Sequence, residues 1–265
     1  MIKILTAFKV VDDFDDILPD DWENLGTASP DTSYSKRILN CFDEAALENA
    51  LLLKDKYISA GESVQLTALT VCPGYSSHII KNLPAIKFDR VCVIETTADL
   101  RFDPLATASL IGDFAQADGG FDLILTGKQA PPANSSIVPF ALAGLLNMDL
   151  ISDVVEFSVS EHPTRIGVTH ALDEGVAVES AALPLVCTMG NTTHSYLRVP
   201  TLREKLATKS YSPEEYEAIP SANGGFVLKS LMREHDERQC EFVGGSTPGE
   251  MAAAVFEKYL KRVKL

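Results

Sequence analysis

No two of the five cysteines, Cys41, Cys72, Cys92, Cys187 and Cys240, stand at CxxC spacing, and their number is odd. That argues against a disulfide framework and a cysteine-built zinc site, and favours a reducing compartment. Cys72, Cys92 and Cys187 lie in apolar, strand-like runs, where a free thiol behaves as a small hydrophobe. Basic residues are also few: 23 Lys and Arg face 37 Asp and Glu, for a formal net charge of -14. Nucleic acids and anionic membrane surfaces attract basic faces, so neither is an expected partner. No stretch approaches the ~18 apolar residues of a membrane span. The opening run Met1–Leu5 is too short for a signal peptide. A soluble, cytoplasmic protein without a membrane span is expected.

Familiar catalytic patterns are missing too. There is no GxGxxG, no GxxxxGK[ST] and no GxSxG. None of the five histidines, His78, His162, His170, His194 and His235, is at metal-ligand spacing from another His or Cys. The acidic run Asp12–Asp16 lacks the glycine and spacing of a calcium loop, so a solvated loop is the plainer reading. No base adjoins Cys72 in sequence, which leaves a thiolate nucleophile there as a minor alternative.

What is present is a regular alternation. The 265 residues, 46% hydrophobic and 23% charged, suffice for a sizeable core. Strands are expected at 2–8, 64–71, 90–95 and 122–126, and helices at 42–56, 76–83, 104–116 and 135–147. That spacing indicates βαβ units and a parallel sheet. In the helix from Phe42, residues Ala46, Leu47, Ala50, Leu51 and Leu53 form an apolar face, with acids early and lysines late. Asp103 and Pro104 suit the cap and first position of the next long helix. Strands at 151–157, 164–172, 175–182 and 185–189 follow with short connections, and Asp173-Glu174-Gly175 reads as a hairpin turn. These form an antiparallel or mixed edge. Beyond Pro200 the text turns polar and broken, an extended arm leading to a last helix at 249–262. The expected fold is α/β, a mostly parallel doubly wound sheet, with an α/β domain over 1–207 and an arm plus helix over 208–265. Trp22, Tyr211 and Tyr216 stand in polar text, as partner anchors or as aromatics tucked against their own domain.

Open α/β sheets bind ligands beyond the carboxyl ends of their strands. Three ends matter: Ala7-Phe8-Lys9, Val71-Cys72-Pro73-Gly74, and Thr126-Gly127-Lys128-Gln129-Ala130 with Asn134-Ser135-Ser136 at the next helix start. A helix N-terminus suits a phosphate, and Gly127 permits close backbone approach. On residue types alone, an ordinary βα turn and a plain helix cap stay open.

These segments together resemble the β (small) subunit of electron transfer flavoprotein. The matching pieces run in the family's order: Ile2–Val10, Asn40-Cys41-Phe42-Asp43-Glu44 with the helix to Ala50, Asp122–Ala130 as the most specific motif, Leu183–Val186, and Arg238-Gln239 before Gly244. Ala98–Phe102 suggests a divergent bacterial branch. The resemblance implies an adenine nucleotide α-hydrolase-like fold and a heterodimer. A larger α subunit holds redox-active FAD, and the pair carries electrons from a flavin-dependent dehydrogenase. The small subunit is implied to bind its own nucleotide, AMP or a second FAD, and to lack catalytic groups. Matched by position, adenine and ribose contacts fall on Ala7, Lys9, Asn40, Phe42 and Cys72. Phosphate contacts fall on Gly127, Lys128, Gln129 and Ala130 and on Asn134, Ser135, Ser136 and Ile137. Phe14 takes the place of the aromatic that approaches the α-subunit flavin. The C-terminal arm and helix would contact the α subunit.

Two departures bear on function. Where the family continues with Ile-Asp, a further acid and a glycine, this chain has Pro131-Pro132-Ala133. Prolines remove N–H donors, so adenosine is expected to be held more firmly than phosphate. Thr192–Tyr196 and Leu202–Leu206 replace the family's dehydrogenase-recognition segment, pointing to a different dehydrogenase. Besides the electron carrier, two readings stay open: an adenine-nucleotide-binding regulatory module without electron transfer, and a stand-alone ATP-using enzyme of the same fold.

Overall fold

The computed structural model describes residues 1–18, 20–21, 31–72, 78–162, 164–218 and 240–261. The chain divides into two compact units, Met1–Ser230 and Leu231–Leu265.

The first unit is organised by a nine-stranded sheet. Strand β1 (Ile2–Ala7) opens it, and β2 (Val10–Asp12) and β3 (Arg37–Leu39) then form a separate antiparallel ribbon. The main sheet continues with β4 (Val64–Cys72), β5 (Arg90–Glu95), β6 (Leu123–Gly127), β7 (Asp149–Val159), β8 (Arg165–Leu172), β9 (Gly175–Ala182), β10 (Leu185–Met189) and β11 (Glu214–Glu217). In space the order is β11-β5-β4-β1-β6-β10-β7-β8-β9. Strands from β11 to β7 run parallel, and β8 and β9 fold back antiparallel. The expected fold class is the one seen, and Asp173-Glu174 makes the expected hairpin.

The sequence explains the layering. Every residue of β6 and of β10 is buried, as continuous apolar runs covered on both faces should be. Alternate residues serve opposite cores. Ile4, Leu66, Leu123 and Leu125 pack with Ala46, Leu47 and Ala50 of helix α1 (Cys41–Ser59). After the short helix α2 (His78–Asn82), the helices α3 (Pro104–Ala117) and α4 (Ile137–Leu146) cover the other face, where Leu110, Ile111 and Leu142 meet Leu5, Leu69 and Ile124. Asp103 caps α3 as expected, its Oδ1 accepting from the Ala106 N–H at 2.9 Å. Helix α1 is buried beyond its apolar stripe. Its Glu48 receives Arg198 Nη2 at 2.8 Å, and Lys54 Nζ donates to Asp89 Oδ2 at 2.7 Å.

The segment after Pro200 departs from the expected arm. Helix α5 (Leu202–Ala207) starts in a capping box made by Thr201 and Glu204. Strand β11 then pairs with β5, so the boundary expected between 207 and 208 falls inside the sheet unit. The reason is a side-chain clasp. Arg90 on β5 donates Nε and Nη2 to Glu214 at 2.9 and 2.7 Å, and Nη1 to Asp118 at 2.7 Å. Tyr211 Oη accepts from the Val91 N–H at 2.8 Å, and Tyr216 meets Phe114 edge-on at 5.2 Å. Both tyrosines therefore tuck against their own domain; Trp22 lies outside the described residues. In the second unit, helix α6 (Pro248–Val255) is capped by Thr247 and continues in wider turns through Phe256–Leu260. Among the described residues, no helix is long and apolar enough to cross a membrane.

Arg90 holds the Glu214 carboxyl below the ordinary carboxylate range. Arg90→Ala removes that cation and leaves Asp118 with Lys3 at 3.1 Å and Glu214 with the Tyr216 hydroxyl at 2.9 Å. Urea unfolding should show a loss of about 2 kcal/mol, below the range for fully buried pairs. Hydrogen exchange at Glu214–Glu217 should quicken; unchanged exchange there would show that the clasp does not hold β11.

Candidate functional site

The fold brings the ends of β1 and β6 to the first turn of α1. Asp43 there is buried and receives two backbone donors: the Gly127 N–H on Oδ1 at 2.7 Å and the Lys9 N–H on Oδ2 at 3.0 Å. Asn40, just before α1, sends Nδ2 to the Gln129 carbonyl at 2.8 Å, and its N–H goes to the Lys9 carbonyl at 3.0 Å. Lys9 Nζ donates to the Pro131 carbonyl at 2.7 Å. The turn after β6 is thus braced by three side chains from the start of the chain. Gly127 is required by contact. A Cβ there would stand 2.8 Å from both the Asp43 nitrogen and the Phe42 Cβ.

Electrostatics follow from this burial. Desolvation raises the Asp43 carboxyl to about 6, against the opposing pull of Asn40, of the Gly127 and Lys9 N–H groups, and of the Lys9 charge. Desolvation lowers the Lys9 ammonium, with the Asp43 charge opposing it. Lys128 turns away from the strand end, placing Nζ 3.1 Å from Asp153 Oδ1 and 5.1 Å from the centre of the Phe42 ring.

Beyond these strand ends lies a cavity of about 600 Å³. It is lined by Ala7, Lys9, Phe14, Cys72, Gly127, Lys128, Gln129, Ala130, Ser135, Ser136 and Ile137, all expected site residues. Asn40, Phe42 and Asn134 do not line it. Asn40 and Phe42 support the turn from behind, and the Asn134 N–H closes onto the Ala130 carbonyl at 2.9 Å. The plain helix cap also fails. Helix α4 begins at Ile137 rather than Ser135, because Ser136 adopts φ 55° and makes no side-chain cap. Burial, with the Glu95 charge, pushes the Cys72 thiol up, which opposes a thiolate nucleophile. Among the described residues, no three His, Cys, Asp or Glu side chains gather to hold a metal.

The structure adds residues that the sequence reading passed over. Asp43 is the central one, and its signal was an acid in the first turn of a helix that follows Asn-x-Phe. A fourth strand end, Thr96–Arg101 after β5, forms one wall. It was legible by the same rule as the other three, since β5 lies beside β4 in the sheet. On that wall Arg101 pairs with Asp99, Nη2 to Oδ2 at 2.7 Å. Arg37 and Asp12 from the ribbon also line the cavity.

Comparison with known proteins bears on this arrangement. The model of the electron transfer flavoprotein domain matches residues 31–219, well over half of the chain. The chain belongs to the electron transfer flavoprotein family. Its relatives include YgcR of Escherichia coli K12, provisionally named an electron transfer flavoprotein subunit, at 27% identity over 98% of both chains. A Saccharomyces cerevisiae protein, provisionally named electron transfer flavoprotein subunit beta, is 30% identical over 76% of this chain and 75% of its own. The electron transfer flavoprotein subunit beta of Megasphaera elsdenii is 29% identical over 72% of this chain and 80% of its own. The domain match takes in Asn40–Asp43, the β5 end and the Gly127 turn of this electron transfer flavoprotein family chain.

Two outcomes follow. A carboxyl that titrates near 6 folded and near 3.8 unfolded keeps its proton longer in the folded state. Wild-type stability relative to Asp43→Asn should therefore fall as pH rises from about 4 to about 6 and level off above, in paired chemical unfolding curves. A flat difference would place the Asp43 carboxyl at its ordinary value. Gly127→Ala, by contrast, should cost about 1–3 kcal/mol in the same assay, as for other overpacked sites, because the new methyl meets the Asp43 backbone nitrogen as well as side chains.

Proposed function

We propose that the chain is the small subunit of an electron transfer flavoprotein. In this reading it pairs with a larger, FAD-bearing α subunit and carries electrons from a flavin-dependent dehydrogenase, with no bond-making chemistry of its own. It works in the cytoplasm. Its cavity holds an adenine nucleotide, AMP or a second FAD. The observation that carries this is the braced turn: Lys9, Asn40 and Asp43 hold Gly127–Pro131 at the mouth of a cavity built on four parallel strand ends.

The lining fits such a nucleotide. Ala7 and Cys72 offer small side chains beside a base. At the other end, Ser135 and Ser136 supply hydroxyls next to the α4 N-terminus, which has no side-chain cap. FAD supplies one- and two-electron chemistry when bound; this chain's part is to bind, orient and shield. Phe14 lines the cavity and is proposed to face the partner's flavin. The unit from Leu231, with the exposed Met251, Phe256 and Tyr259, is proposed to contact the α subunit.

The phosphate end is thin in donors, because Pro131 and Pro132 have none and Lys9 and Lys128 are engaged elsewhere. That favours a second reading, a regulatory nucleotide-binding module without electron transfer. Purification from the native host, followed by denaturation and mass spectrometry of the released nucleotide, separates the two. The carrier reading expects a yellow heterodimer that releases FAD together with AMP, or FAD in excess of one per pair. Adenosine should bind within about tenfold of AMP, a gap of ~1.4 kcal/mol. A stable monomer that releases no adenine nucleotide would overturn both readings; a nucleotide-loaded monomer that never pairs would leave the module.

A further inference from the structure

The hydrogen-bond partners of the Asp43 side chain are donors. Oδ1 accepts from the Gly127 N–H of β6 and Oδ2 from the Lys9 N–H after β1. The Asn40 amide before α1 and the Lys9 charge favour the ionised form as well. Other charged groups nearby are engaged elsewhere. Lys128 in the turn pairs with Asp153, and Glu44 of α1 takes the Leu197 N–H at 3.0 Å. On the wall after β5, Asp99 and Arg101 pair with each other, and their charges act on Lys9.

Such a cage suits a carboxylate and not a carboxylic acid. A carboxylate only accepts, whereas the acid carries an O–H that needs an acceptor of its own. A proton on Oδ1 stands against the Gly127 N–H, and a proton on Oδ2 stands against the Lys9 N–H. Either way a backbone N–H loses its acceptor in a buried place, which is costly. The loss falls on the cavity wall. Lys9 and Gly127–Pro131 line the cavity, and Lys9 Nζ also holds the Pro131 carbonyl. Burial works against the donors and brings the carboxyl to about 6, so both forms are populated in mild acid.

We propose that Asp43 is a positioning residue that makes nucleotide binding proton-linked: its carboxylate form holds the Gly127–Pro131 turn in the binding shape, and its acid form releases it. This rests on the adenine-nucleotide reading above. The sign follows from the bonding. A ligand prefers the ordered turn and hence the ionised carboxyl, so binding expels a proton. Affinity is full above about pH 6 and falls as pH drops below it, toward tenfold per pH unit for one linked proton.

The test uses the full chain, freed of nucleotide, with adenosine as the probe. Adenosine is uncharged and keeps one protonation state across the range. From about pH 7.5 to about pH 5 its affinity should fall roughly tenfold. Calorimetry near pH 6, in buffers of different ionisation heat, should show about half a proton released per adenosine bound. In Asp43→Asn the amide sets a donor among donors, as the acid does. Its affinity deficit should be roughly tenfold at pH 7.5 and vanish at pH 5. A wild-type affinity that is flat with pH, or proton uptake in place of release, would overturn the proposal. So would an Asp43→Asn chain that keeps the pH dependence, that matches wild type at pH 7.5, or that is weaker by the same factor at every pH, as a merely structural role predicts. If the variant does not fold, the wild-type profile and the proton count decide alone. A wild-type chain that binds no adenosine at pH 7.5 would instead overturn the nucleotide reading on which the proposal rests.

Discussion

Two backbone N–H groups from distant strands converge on one buried carboxyl, that of Asp43. Gly127 ends β6 and Lys9 follows β1, yet both donate to the same side chain at the start of α1. The arrangement tolerates an acid in a desolvated place because the donors, with Asn40 and the Lys9 charge, offset much of the desolvation. It also dictates the neighbours. The residue at 127 must lack a side chain, since Asp43 occupies that space. Lys9, fixed at its N–H, can then reach across to the Pro131 carbonyl and tie down the loop. The turn that lines the cavity at Gly127–Pro131 is therefore a by-product of one carboxyl's hydrogen bonding.

The charges around the cavity nearly cancel. Arg37 is 3.5 Å from Asp12, Arg101 pairs with Asp99, and Lys128 pairs with Asp153. An anion arriving here meets cations that already have partners, on a chain whose formal charge is -14. Long-range attraction contributes little to capture under those conditions. Selectivity must come from shape, from the apolar wall behind β4 and β6, and from fixed dipoles such as the α4 N-terminus.

Much of this was legible in the residues. Strand and helix alternation through Met148 followed from apolar runs separated by turn signals, and it placed β1, β4, β5 and β6 within two residues of their observed ends. On residue types alone the Gly127 turn could not be told from an ordinary βα turn; the likeness of Asp122–Ala130 to the family's motif singled it out. Strand β11 was not legible. Glu214-Glu215-Tyr216-Glu217 carries three acids and no alternation, and it is a strand because Arg90, 124 residues away from Glu214, neutralises and aligns it. Asn40 was read as a ligand contact from motif position, and sequence spacing could not show that it also ties the Gln129 carbonyl. Asp43 stood in the same motif; its role depends on the distance between two strand ends, a tertiary quantity.

The position of β10 in the sheet has a kinetic meaning. This strand comes after the β7–β8–β9 hairpins in the chain, yet lies between β6 and β7 and bonds to both. Until residue 189 has left the ribosome, β6 has an open edge where the Gly127 turn will form. The Lys128 N–H lacks its acceptor, the Met189 carbonyl, for the same period. Assembly of this region therefore waits on contacts of long sequence separation, the class that slows folding and leaves sheet edges exposed to other chains in the meantime. The nucleotide-sized cleft is one of the last parts of the sheet unit to be completed during synthesis.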